Sequence, residues 1–469
     1  MMDTPLVNLK DLLERQRAAW RARTPDPAQR MDDLARLRRA FKARLEDFAR
    51  AVSDDFGRRP RVETLLADGL PVLGEIDHVR KHLRRWMRPG RVAADMTFWP
   101  ARCEIIPKPL GVVGIISPWN YPVNLALVPL IDALAAGNHA MLKPSERTPR
   151  TSALLAELLA EVFPPERVAV VQGAADVAAA FAALPFDHLL FTGSTLLGAQ
   201  VFAAAAPNLT PVTLELGGKS PAIVAPGCVN ARNVDRIAAG KFLNAGQTCI
   251  APDYVLVQEA ERDAFAARLR EYVARHYPSL AASPDYASIV NDVHYARLRE
   301  WLDEARAAGA QVIALSDLAA DDPGRRILAP RMVLDAQESI ALMRGEVFGP
   351  VLPVVTYRGL DDAIEYVNAR PRPLALYVFA DDGARIRRVL DACTAGSIAV
   401  NDCVFQFAQS RLPFGGVGPS GLGAYHGYAG FLAFTKQMPV FRQARWSATA
   451  WLRPPYGARV ERLLRFLLR

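Results

Sequence analysis

Two short segments of this chain could together perform thiol chemistry on a carbonyl group. Cys249 ends the polar, glycine-containing segment Phe242–Cys249, where backbone N–H groups at a turn or helix start could help its thiol to ionise. Glu215 lies between Leu214 and Leu216, and a carboxylate among apolar neighbours has a raised pKa, which suits a general base. Each residue alone has a plainer interpretation, as a cysteine that packs like a small hydrophobe and as a glutamate that points to solvent.

A third candidate is Asn120, in the segment Ser117–Pro122, which directly follows an apolar stretch typical of a buried strand. In parallel sheets the ligand-binding loops begin at the carboxyl ends of the strands. The Asn120 amide could therefore donate to a developing oxyanion, although an asparagine beside prolines is also common in turns. The presence of Glu215 upstream of Cys249 favours the catalytic interpretation of both residues.

Other segments could bind a nucleotide. Phe191–Gly198 follows an apolar stretch and opens a helix, which would turn backbone N–H groups towards a pyrophosphate, but it lacks the GxGxxG spacing. Lys143 could reach a ribose hydroxyl or a phosphate, whereas most lysines lie on the surface. Glu346 offers a carboxylate for a ribose diol and Phe348 a ring for packing, in a glycine–proline turn that is ordinary by itself.

The elements that must position these residues follow an alternating pattern from about Leu110 onward. Short apolar runs predict strands buried on both faces, and the segments between them predict helices. The first strands are Val112–Ile116, Ala140–Leu142, Val168–Val171 and Leu189–Phe191, with helices over Val123–Ala136, Thr151–Val162 and Ser194–Ala205. The second set is Ala222–Val224, Val234–Leu243, Val255–Val257, Glu261–Tyr272, Val351–Val355, Leu360–Val367, Leu376–Phe379 and Ser397–Val400. This alternation predicts an α/β fold with a parallel, doubly wound sheet.

Upstream of this region, apolar residues spaced by threes and fours over Met31–Phe56 predict one long amphipathic helix. Asp32 and Asp33 are then suitably placed near its N-terminus, where acidic side chains are favourable. The segments Asp321–Arg331 and Phe414–Gly423 are typical of surface loops.

The composition excludes several classes of protein. The chain has 469 residues, of which 51% are hydrophobic and 23% charged, so it can bury the cores of two or three domains and is not disordered. Its net charge of +8 could attract nucleic acid, anionic lipid or an anionic cofactor. Because it has no zinc spacing and no RNA-binding signature, we expect no nucleic-acid partner and no metal. Five cysteines without a CxxC pair indicate reduced thiols in the cytoplasm.

Nothing in the sequence requires a membrane. Charged residues between Asp3 and Arg15 precede any long apolar run, so we expect no signal peptide. The longest uncharged run, Leu110–Ile131, contains prolines and asparagines that predict a strand, a loop and a helix rather than one spanning helix. The basic tail Arg445–Arg469 predicts a docked helix, an oligomer contact or a membrane-surface helix. We favour the last least, because its apolar run is short.

Taken together, these segments and their order resemble the aldehyde dehydrogenase superfamily over about residues 30 to 440. The resemblance implies oxidation of an aldehyde to the acid with NAD, with NADP as the alternative cofactor. It implies that Cys249 is the nucleophile, that Glu215 activates water, and that Asn120 and the Cys249 N–H form an oxyanion hole. Coenzyme A-acylating relatives generally lack this glutamate, so its presence favours hydrolysis. The implied cofactor contacts are Ile116, Ser117, Lys143, Glu146, Gly193, Ser194, Glu346 and Phe348.

Within that superfamily the chain resembles the shorter class 3 branch. The motifs that carry this likeness are Asn401-Asp402, Leu412–Gly418 and Tyr425–Gly427, and the segment Asn244–Tyr254 and the tail resemble bacterial coniferyl-aldehyde dehydrogenases. The implied substrate is an aromatic aldehyde such as coniferyl aldehyde, or a medium- or long-chain aliphatic one. Gln406 stands where those relatives usually carry a histidine, which puts the aryl preference in doubt if this residue lines the substrate funnel.

The resemblance also implies the domain organisation and the partners. It predicts a Rossmann-type cofactor domain over 1–82 and 101–215, an α/β catalytic domain over 216–400, bridging segments over 83–100 and 401–445, and a tail over 446–469. Class 3 members are usually dimers, so we expect a homodimer, and Glu146 favours a free ribose diol and hence NAD. The rival interpretations are a cofactor-independent thiol esterase and a non-catalytic protein that has kept the fold.

Overall fold

The computed structural model describes residues 8–280, 283–315, 321–447, 449 and 453–468. The expectation that no signal peptide is present concerns residues 1–7, which lie outside the described residues, as does part of the tail. The first half of the chain contains α1 (Asn8–Ala22), α2 (Pro27–Ala43), α3 (Leu45–Phe56), α4 (Arg61–Thr64), a π-helical turn (Leu65–Gly69), α5 (Leu70–Trp86), β1 (Gly90–Val92), β2 (Arg102–Pro109), β3 (Val112–Ile116), α6 (Asn124–Ala136), β4 (His139–Lys143), α7 (Pro149–Val162), β5 (Val168–Val170), α8 (Ala175–Ala182), β6 (His188–Thr192), α9 (Thr195–Ala205) and β7 (Val212–Glu215).

The second half repeats the alternation of strands and helices. It contains β8 (Pro221–Val224), α10 (Ala231–Phe242), β9 (Tyr254–Gln258), α11 (Arg262–His276), α12 (Asp292–Ala307), β10 (Gln311–Ala314), β11 (Arg331–Leu334), α13 (Ala341–Arg344), β12 (Val351–Tyr357), α14 (Leu360–Asn368), β13 (Ala375–Phe379), α15 (Gly383–Ala392), β14 (Ser397–Val400), β15 (Gly421–Leu422), α16 (Gly427–Ala433), β16 (Thr435–Arg442) and α17 (Ala458–Leu467). β3 and β14 have the predicted bounds, and each other predicted strand or helix downstream of Leu110 overlaps an observed element of the same type.

Within the described residues the strands form three sheets. The amino-terminal sheet has the order β15-β7-β6-β3-β4-β5 and is parallel apart from β15. The carboxyl-terminal sheet has the order β10-β11-β12-β9-β8-β13-β14 and is parallel apart from β10. A small antiparallel sheet, β1-β2-β16, stands apart from both. The predicted α/β fold with doubly wound parallel sheets is confirmed, while the predicted domain boundaries stay a prediction.

Several of the candidate residues lie at one edge of the amino-terminal sheet. Ile116, at the end of β3, pairs with Lys143 at the end of β4. Thr192, at the end of β6, pairs with Glu215 at the end of β7. Because these strands are parallel, the loops that follow them emerge side by side, where open α/β sheets bind their ligands.

The prediction of one long helix over Met31–Phe56 is wrong, because the helix is interrupted at Arg44, between α2 and α3. Arg44 leaves the helical conformation (φ −108°, ψ 13°), yet Phe41 and Phe48 on either side still pack with their rings 5.5 Å apart. The apolar spacing therefore continues across the break, and no glycine or proline marks it. α2 begins at Pro27 behind the cap Asp26, so Asp32 and Asp33 do not serve its first turn as expected.

The run Leu110–Ile131 forms a strand, a loop and a helix as predicted, and all of α6 is buried despite Pro129. No helix among the described residues is long and apolar enough to cross a membrane. The predicted loop over 321–331 holds a short 3-10 turn, whereas the loop over 414–423 contributes β15 to the amino-terminal sheet. In the tail, α17 is exposed along its described side chains except at Val460.

All five cysteines lie in the described part of the chain and are free thiols, as predicted. Cys228, Cys393 and Cys403 are buried and pack in the core. Cys103 lies half-buried on β2 in the small sheet.

Candidate active site

Asn120 and Cys249 lie on two loops that contact each other. The Asn120 amide donates to the Gln247 carbonyl at 3.2 Å. The hydroxyls of Tyr121 and Thr248 lie 2.6 Å apart. Because the first loop follows β3 and the second precedes β9, these bonds join the two large sheets at the site. Among the contacts of the described residues, Asn120 keeps its second amide N–H for another acceptor.

The turn before Cys249 has a strained backbone. Asn244, Ala245 and Gly246 follow one another in the left-handed region, with φ of 52°, 51° and 77°. Non-glycine residues rarely adopt this conformation, and they keep it only where the surroundings enforce it. Here the side chain of Gln247 enforces the conformation. It is fully buried and donates to the Asn244 and Ser288 carbonyls at 2.9 and 3.0 Å, and its amide oxygen accepts from the Val290 N–H.

The Cys249 thiol keeps some exposure, and the backbone N–H groups of Cys249 and Ile250 point to its sulfur. These donors favour the thiolate, as the sequence predicted. Burial outweighs them, however, and together with the charges of Glu346 and Glu215 it raises the pKa of the thiol to about 12. Burial therefore outweighs the lowering of the thiol pKa that the turn was expected to give.

Glu215 ends β7 and is 2% exposed. Neither of its carboxyl oxygens has a hydrogen-bond partner among the described residues, and burial raises its pKa well above the usual value. Its backbone carbonyl accepts from the Gly193 N–H at 3.0 Å, which links it to the segment between β6 and α9. A buried, unpaired carboxyl with a raised pKa is the arrangement expected of a group that exchanges protons with a reactant.

The side chain of Arg59 supports the loop that carries Asn120. Its guanidinium donates to the Asn120 carbonyl at 2.9 Å and pairs with the buried Asp68 at 3.3 Å. The same guanidinium lies over the rings of Phe56 and Tyr121, at 5.4 and 4.7 Å from their centroids. Asp68, in the π-helical turn, also accepts from the first backbone N–H groups of α6. Arg59 and Asp68 therefore connect the Asn120 loop and the start of α6 to the N-terminal helices.

Glu346 faces the site from the segment before β12. A Cβ atom on Gly217 would lie 2.2 Å from its Oε2, so the carboxyl packs directly on the backbone after Glu215. Its Oε1 is buried and has no partner among the described residues. Burial, followed by the charge of Asp253, raises the pKa of Glu346 to about 8.

The segment that carries Glu346 is fixed by a buried ion pair. The Lys219 ammonium lies 2.5 Å from the Asp253 carboxylate. It also donates to the Leu342 and Gly345 carbonyls at 2.9 and 3.0 Å. Asp253 in turn accepts from the Val347 N–H at 2.9 Å. Phe348 follows in the left-handed region, and its ring meets that of Trp119 edge-on at 5.4 Å.

The residues at the edge of the amino-terminal sheet fit a dinucleotide. The Ser117 hydroxyl is buried without a partner among the described residues, beside Ile116. The backbone at Gly193 packs closely on the Phe191 ring, since a Cβ atom there would lie 2.5 Å from that ring. The next residue, Ser194, is the N-cap of α9. The first turn of α9 is exposed, as in helix N-termini that bind phosphates. Unpaired carboxyl and hydroxyl oxygens next to such a helix suit ribose and pyrophosphate groups.

Lys143 and Glu146 lie beside this edge. The Lys143 ammonium is buried, donates to the Pro144 carbonyl at 3.0 Å and lies 3.4 Å from the Glu146 carboxylate. Glu146 keeps a 42% exposed side chain, so it is open to a ligand that approaches from solvent. A carboxylate in this place attracts hydroxyl groups and repels a phosphate.

Gln406 is connected to the turn of Cys249 through one tyrosine. Its amide donates to the Tyr377 hydroxyl at 3.1 Å, and that hydroxyl donates to the Ile250 carbonyl next to Cys249. Tyr377 is fully buried, so the connection is sheltered from solvent. An uncharged amide therefore stands where the resemblance leads one to expect a titratable imidazole.

Sequence reasoning named the chemical groups and missed the residues that hold them. Gln247 stood inside the recognised motif but received no role, because an amide side chain gives no sign of which carbonyls it reaches. Arg59 and Tyr377 had no local signal at all, since each acts on a loop that is more than sixty residues away.

Comparisons with known proteins agree with this geometry. The model of the aldehyde dehydrogenase family matches residues 11–440. The "Probable coniferyl aldehyde dehydrogenase" of Pseudomonas aeruginosa is 48% identical over 457 residues, which are 97% of this chain and 95% of that protein. The "Coniferyl aldehyde dehydrogenase" of Pseudomonas sp. strain HR199 is 46% identical over 93% of this chain and 91% of that protein. The solved structure "Substrate bound state of Staphylococcus Aureus AldH" has a TM-score of 0.93 and 35% identity, and covers 98% of this chain and 99% of that one.

Proposed function

Because this chain belongs to the aldehyde dehydrogenase family and so oxidises aldehydes with NAD(P)+, we propose that Cys249, Glu215 and Asn120 carry out the reaction. The observation that supports the assignment is that the loops of Asn120 and Cys249 are bonded to each other between the two large sheets. Asn120 is bonded to the Cys249 turn, and the charge of Glu215 acts on the thiol. None of the three has its reactive atoms fully engaged elsewhere among the described residues.

The reaction begins at Cys249, whose thiolate attacks the aldehyde carbon. The oxygen of the adduct becomes an alkoxide, and the free N–H of Asn120 together with the backbone N–H of Cys249 stabilises this charge. Because Arg59 and Gln247 fix both donors before substrate arrives, no reorganisation is needed when the charge develops.

The cofactor-binding residues are a proposal drawn from the resemblance and from the unpaired groups at the sheet edge. Ser117, Gly193 and Ser194 would hold the pyrophosphate end, while Glu346 and Phe348 would hold the nicotinamide ribose. When bound, the nicotinamide supplies the acceptor for the hydride of the aldehyde carbon, which turns the adduct on Cys249 into a thioester.

Glu215 then acts as the base for hydrolysis. Its carboxylate takes a proton from water, the hydroxide attacks the thioester carbon, and the Cys249 thiolate leaves as the carboxylic acid is released. The enclosed position of Glu215 suits this step, because a base whose pKa is raised by burial accepts a proton readily.

For the substrate we propose an aromatic aldehyde of the coniferyl type. The names of the two bacterial relatives support this choice, and so does the high share of both chains that the alignments cover. Gln406 does not argue against it, because the residue is engaged with Tyr377 rather than pointing a charge at the substrate.

Two further properties complete the proposal. NAD is preferred over NADP, because the exposed Glu146 carboxylate would repel a 2′-phosphate. The chain forms a homodimer in the cytoplasm. The small sheet supports the dimer, since it exposes Val92, Ile105 and Phe441, and the five free thiols support the reducing compartment. Sedimentation at twice 51.4 kDa is expected; a species of 51.4 kDa would reject the dimer.

Rapid mixing of enzyme, cofactor and aldehyde tests the assignment of roles. We expect Glu215→Gln to give one burst of reduced cofactor per site and then almost no steady turnover, because oxidation precedes the step that needs the base. The exposed Glu365 on α14 offers a control in Glu365→Gln, which should turn over normally. A Glu215→Gln enzyme without a burst would mean that Glu215 acts before hydride loss.

A further inference from the structure

One carboxyl group beside the turn of Cys249 has no part in the chemistry proposed so far. Glu63, on α4, is half-buried, and its Oε2 accepts from the Asn244 backbone N–H at 3.2 Å. The two residues are 181 positions apart in the sequence, so this bond exists only in the folded chain. The N-terminal helices therefore contact the turn of Cys249, just as Arg59 contacts the loop of Asn120.

Asn244 links the two segments that are proposed to form the oxyanion hole. It is fully buried, and its side-chain amide donates to the Asn120 carbonyl and to the Gln247 carbonyl, in each case at 3.2 Å. The Asn120 amide donates to the same Gln247 carbonyl. A shift of Asn244 would therefore move Asn120 and the turn of Cys249 relative to each other.

The backbone conformation of Asn244 needs support from its neighbours. Its φ of 52° and ψ of 33° are left-handed values, which a non-glycine residue keeps only where the surroundings enforce them. The side chain of Gln247 donates to the Asn244 carbonyl, and Glu63 accepts from the Asn244 N–H. Both backbone groups are thus bonded, and of the two partners Glu63 is the one that can carry a charge.

The groups around the Glu63 carboxyl act on its charge in both directions. Burial is the main cause that raises the pKa of Glu63 to about 7, and Asp285 acts in the same direction. Arg59 and the Asn244 N–H oppose this rise, because both stabilise the carboxylate. Four tyrosine hydroxyls are also affected by the charge of Glu63, and their own pKa values are raised: Tyr121, Tyr272, Tyr277 and Tyr286. The charge of Glu63 therefore changes within the pH range of an enzyme assay.

We propose that Glu63 is a positioning residue for the reaction: its carboxylate holds Asn244, and Asn244 keeps the two N–H donors of the oxyanion hole in place. This inference rests on the proposed function. A hydrogen bond to an ionised acceptor is about twice as strong as one to a neutral acceptor. The ionised form of Glu63 therefore fixes the turn more firmly than the protonated form. This role needs no contact between Glu63 and the substrate or the cofactor, so its effect falls on the rate at which the alkoxide forms and loses hydride.

The test compares Glu63→Gln with the native chain in single turnovers, with enzyme in excess over aldehyde and the reduced cofactor followed by stopped-flow absorbance. The amide keeps the length of the side chain and an oxygen that can accept from Asn244, but it carries no charge. At pH 8.5 we expect the rate constant of cofactor reduction to fall about 10-fold, less than the 10²–10³ that loss of a whole oxyanion donor costs. The Kd of NAD+, measured by tryptophan fluorescence, should stay native, which also shows that the variant is folded.

The pH dependence separates positioning by a charge from a purely structural role. Below its pKa the native Glu63 carboxyl is neutral, like the amide, whereas above it the carboxylate holds the turn. The ratio of the native to the Glu63→Gln rate constant should therefore rise from about 1 near pH 5.5 to about 10 at pH 8.5. Taking the ratio removes the pH dependence that both proteins share through the Cys249 thiol.

Glu46→Gln is the matched control, because Glu46 on α3 bonds to Arg61 of the same helix α4 at 2.6 Å, on its exposed side. It should keep the native rate constant at each pH. The role of Glu63 is overturned by a ratio that does not change with pH. It is also overturned if the Kd of NAD+ changes while the rate constant does not, which would place Glu63 at the cofactor. Absence of cofactor reduction by the native chain would instead overturn the proposed function, and this role with it.

Discussion

The pKa values of the Cys249 thiol and of the Glu215 and Glu346 carboxyls are all raised above their usual values. Burial is the first cause in each case, with the thiol pKa at about 12 and the Glu346 pKa at about 8. These raised pKa values oppose the charged forms that a thiolate nucleophile and a carboxylate base require.

At the residue scale, Glu346→Gln should change stability in a pH-dependent way. The unfolded chain releases the Glu346 proton near its usual pKa of 4.5, whereas the folded chain keeps it up to about 8. Native stability therefore falls as pH rises through this window and stays low above it. The amide removes that loss, so we expect the Tm of Glu346→Gln to equal the native value near pH 4.5 and to exceed it increasingly up to pH 9.

Thermal unfolding at several pH values measures this difference. Glu365→Gln on α14 again serves as the control, since its exposed side chain gives no reason for a trend of this kind. A Tm difference that is the same at pH 4.5 and pH 9 would show that burial does not raise the Glu346 pKa as described.

At the scale of elements, the site depends on two loops that approach each other without side chains between them. A Cβ on Gly246 would lie 2.2 Å from the Gly349 carbonyl oxygen, so the turn of Cys249 and the segment of Glu346 and Phe348 meet backbone to backbone. Any side chain at Gly246 must push them apart. That movement would shift the nucleophile relative to the groups proposed for the cofactor.

We expect Gly246→Ala to lose most of its kcat/KM for this reason, measured by cofactor reduction. Gly227→Ala is a matched control, because Gly227 has nearly the same backbone (φ +79° against +77°) but nothing within 4 Å of its added Cβ. Both variants carry the left-handed penalty of about 1–2 kcal/mol, and only Gly246→Ala separates the loops. Equal activity in the two variants would mean that the close approach is not needed.

The sequence predicted the strands well because fully buried parallel strands appear as short, continuous apolar runs, as in β3 and β13. It also placed the candidate residues at strand ends, where the loops emerge. It did not show the break at Arg44, since the apolar spacing continues through it. Nor did it show that Arg59 supports Asn120, because the segment before α4 and the loop after β3 come into contact only in the folded chain.

At the scale of the whole molecule, the site draws on segments from both ends of the chain. Arg59 comes from the N-terminal helices, whereas β15 returns from the carboxyl-terminal part of the chain to pair with β7, where Gly421 lies opposite Glu215. Both large sheets must be formed and joined before the three proposed catalytic groups meet. Partial unfolding that separates the two large sheets should therefore abolish activity completely.

The most direct test of the central claim, that Cys249 carries the oxidation of an aldehyde, is the absorbance of the reduced nicotinamide. Native protein and Cys249→Ala would each be mixed with NAD or NADP and a panel of aromatic and aliphatic aldehydes, including coniferyl aldehyde. We predict reduction by the native protein, fastest with NAD and the aromatic aldehydes, and none by Cys249→Ala. Equal rates in the two proteins would contradict the role of Cys249, and no reduction with any aldehyde would favour a thiol esterase or a non-catalytic protein.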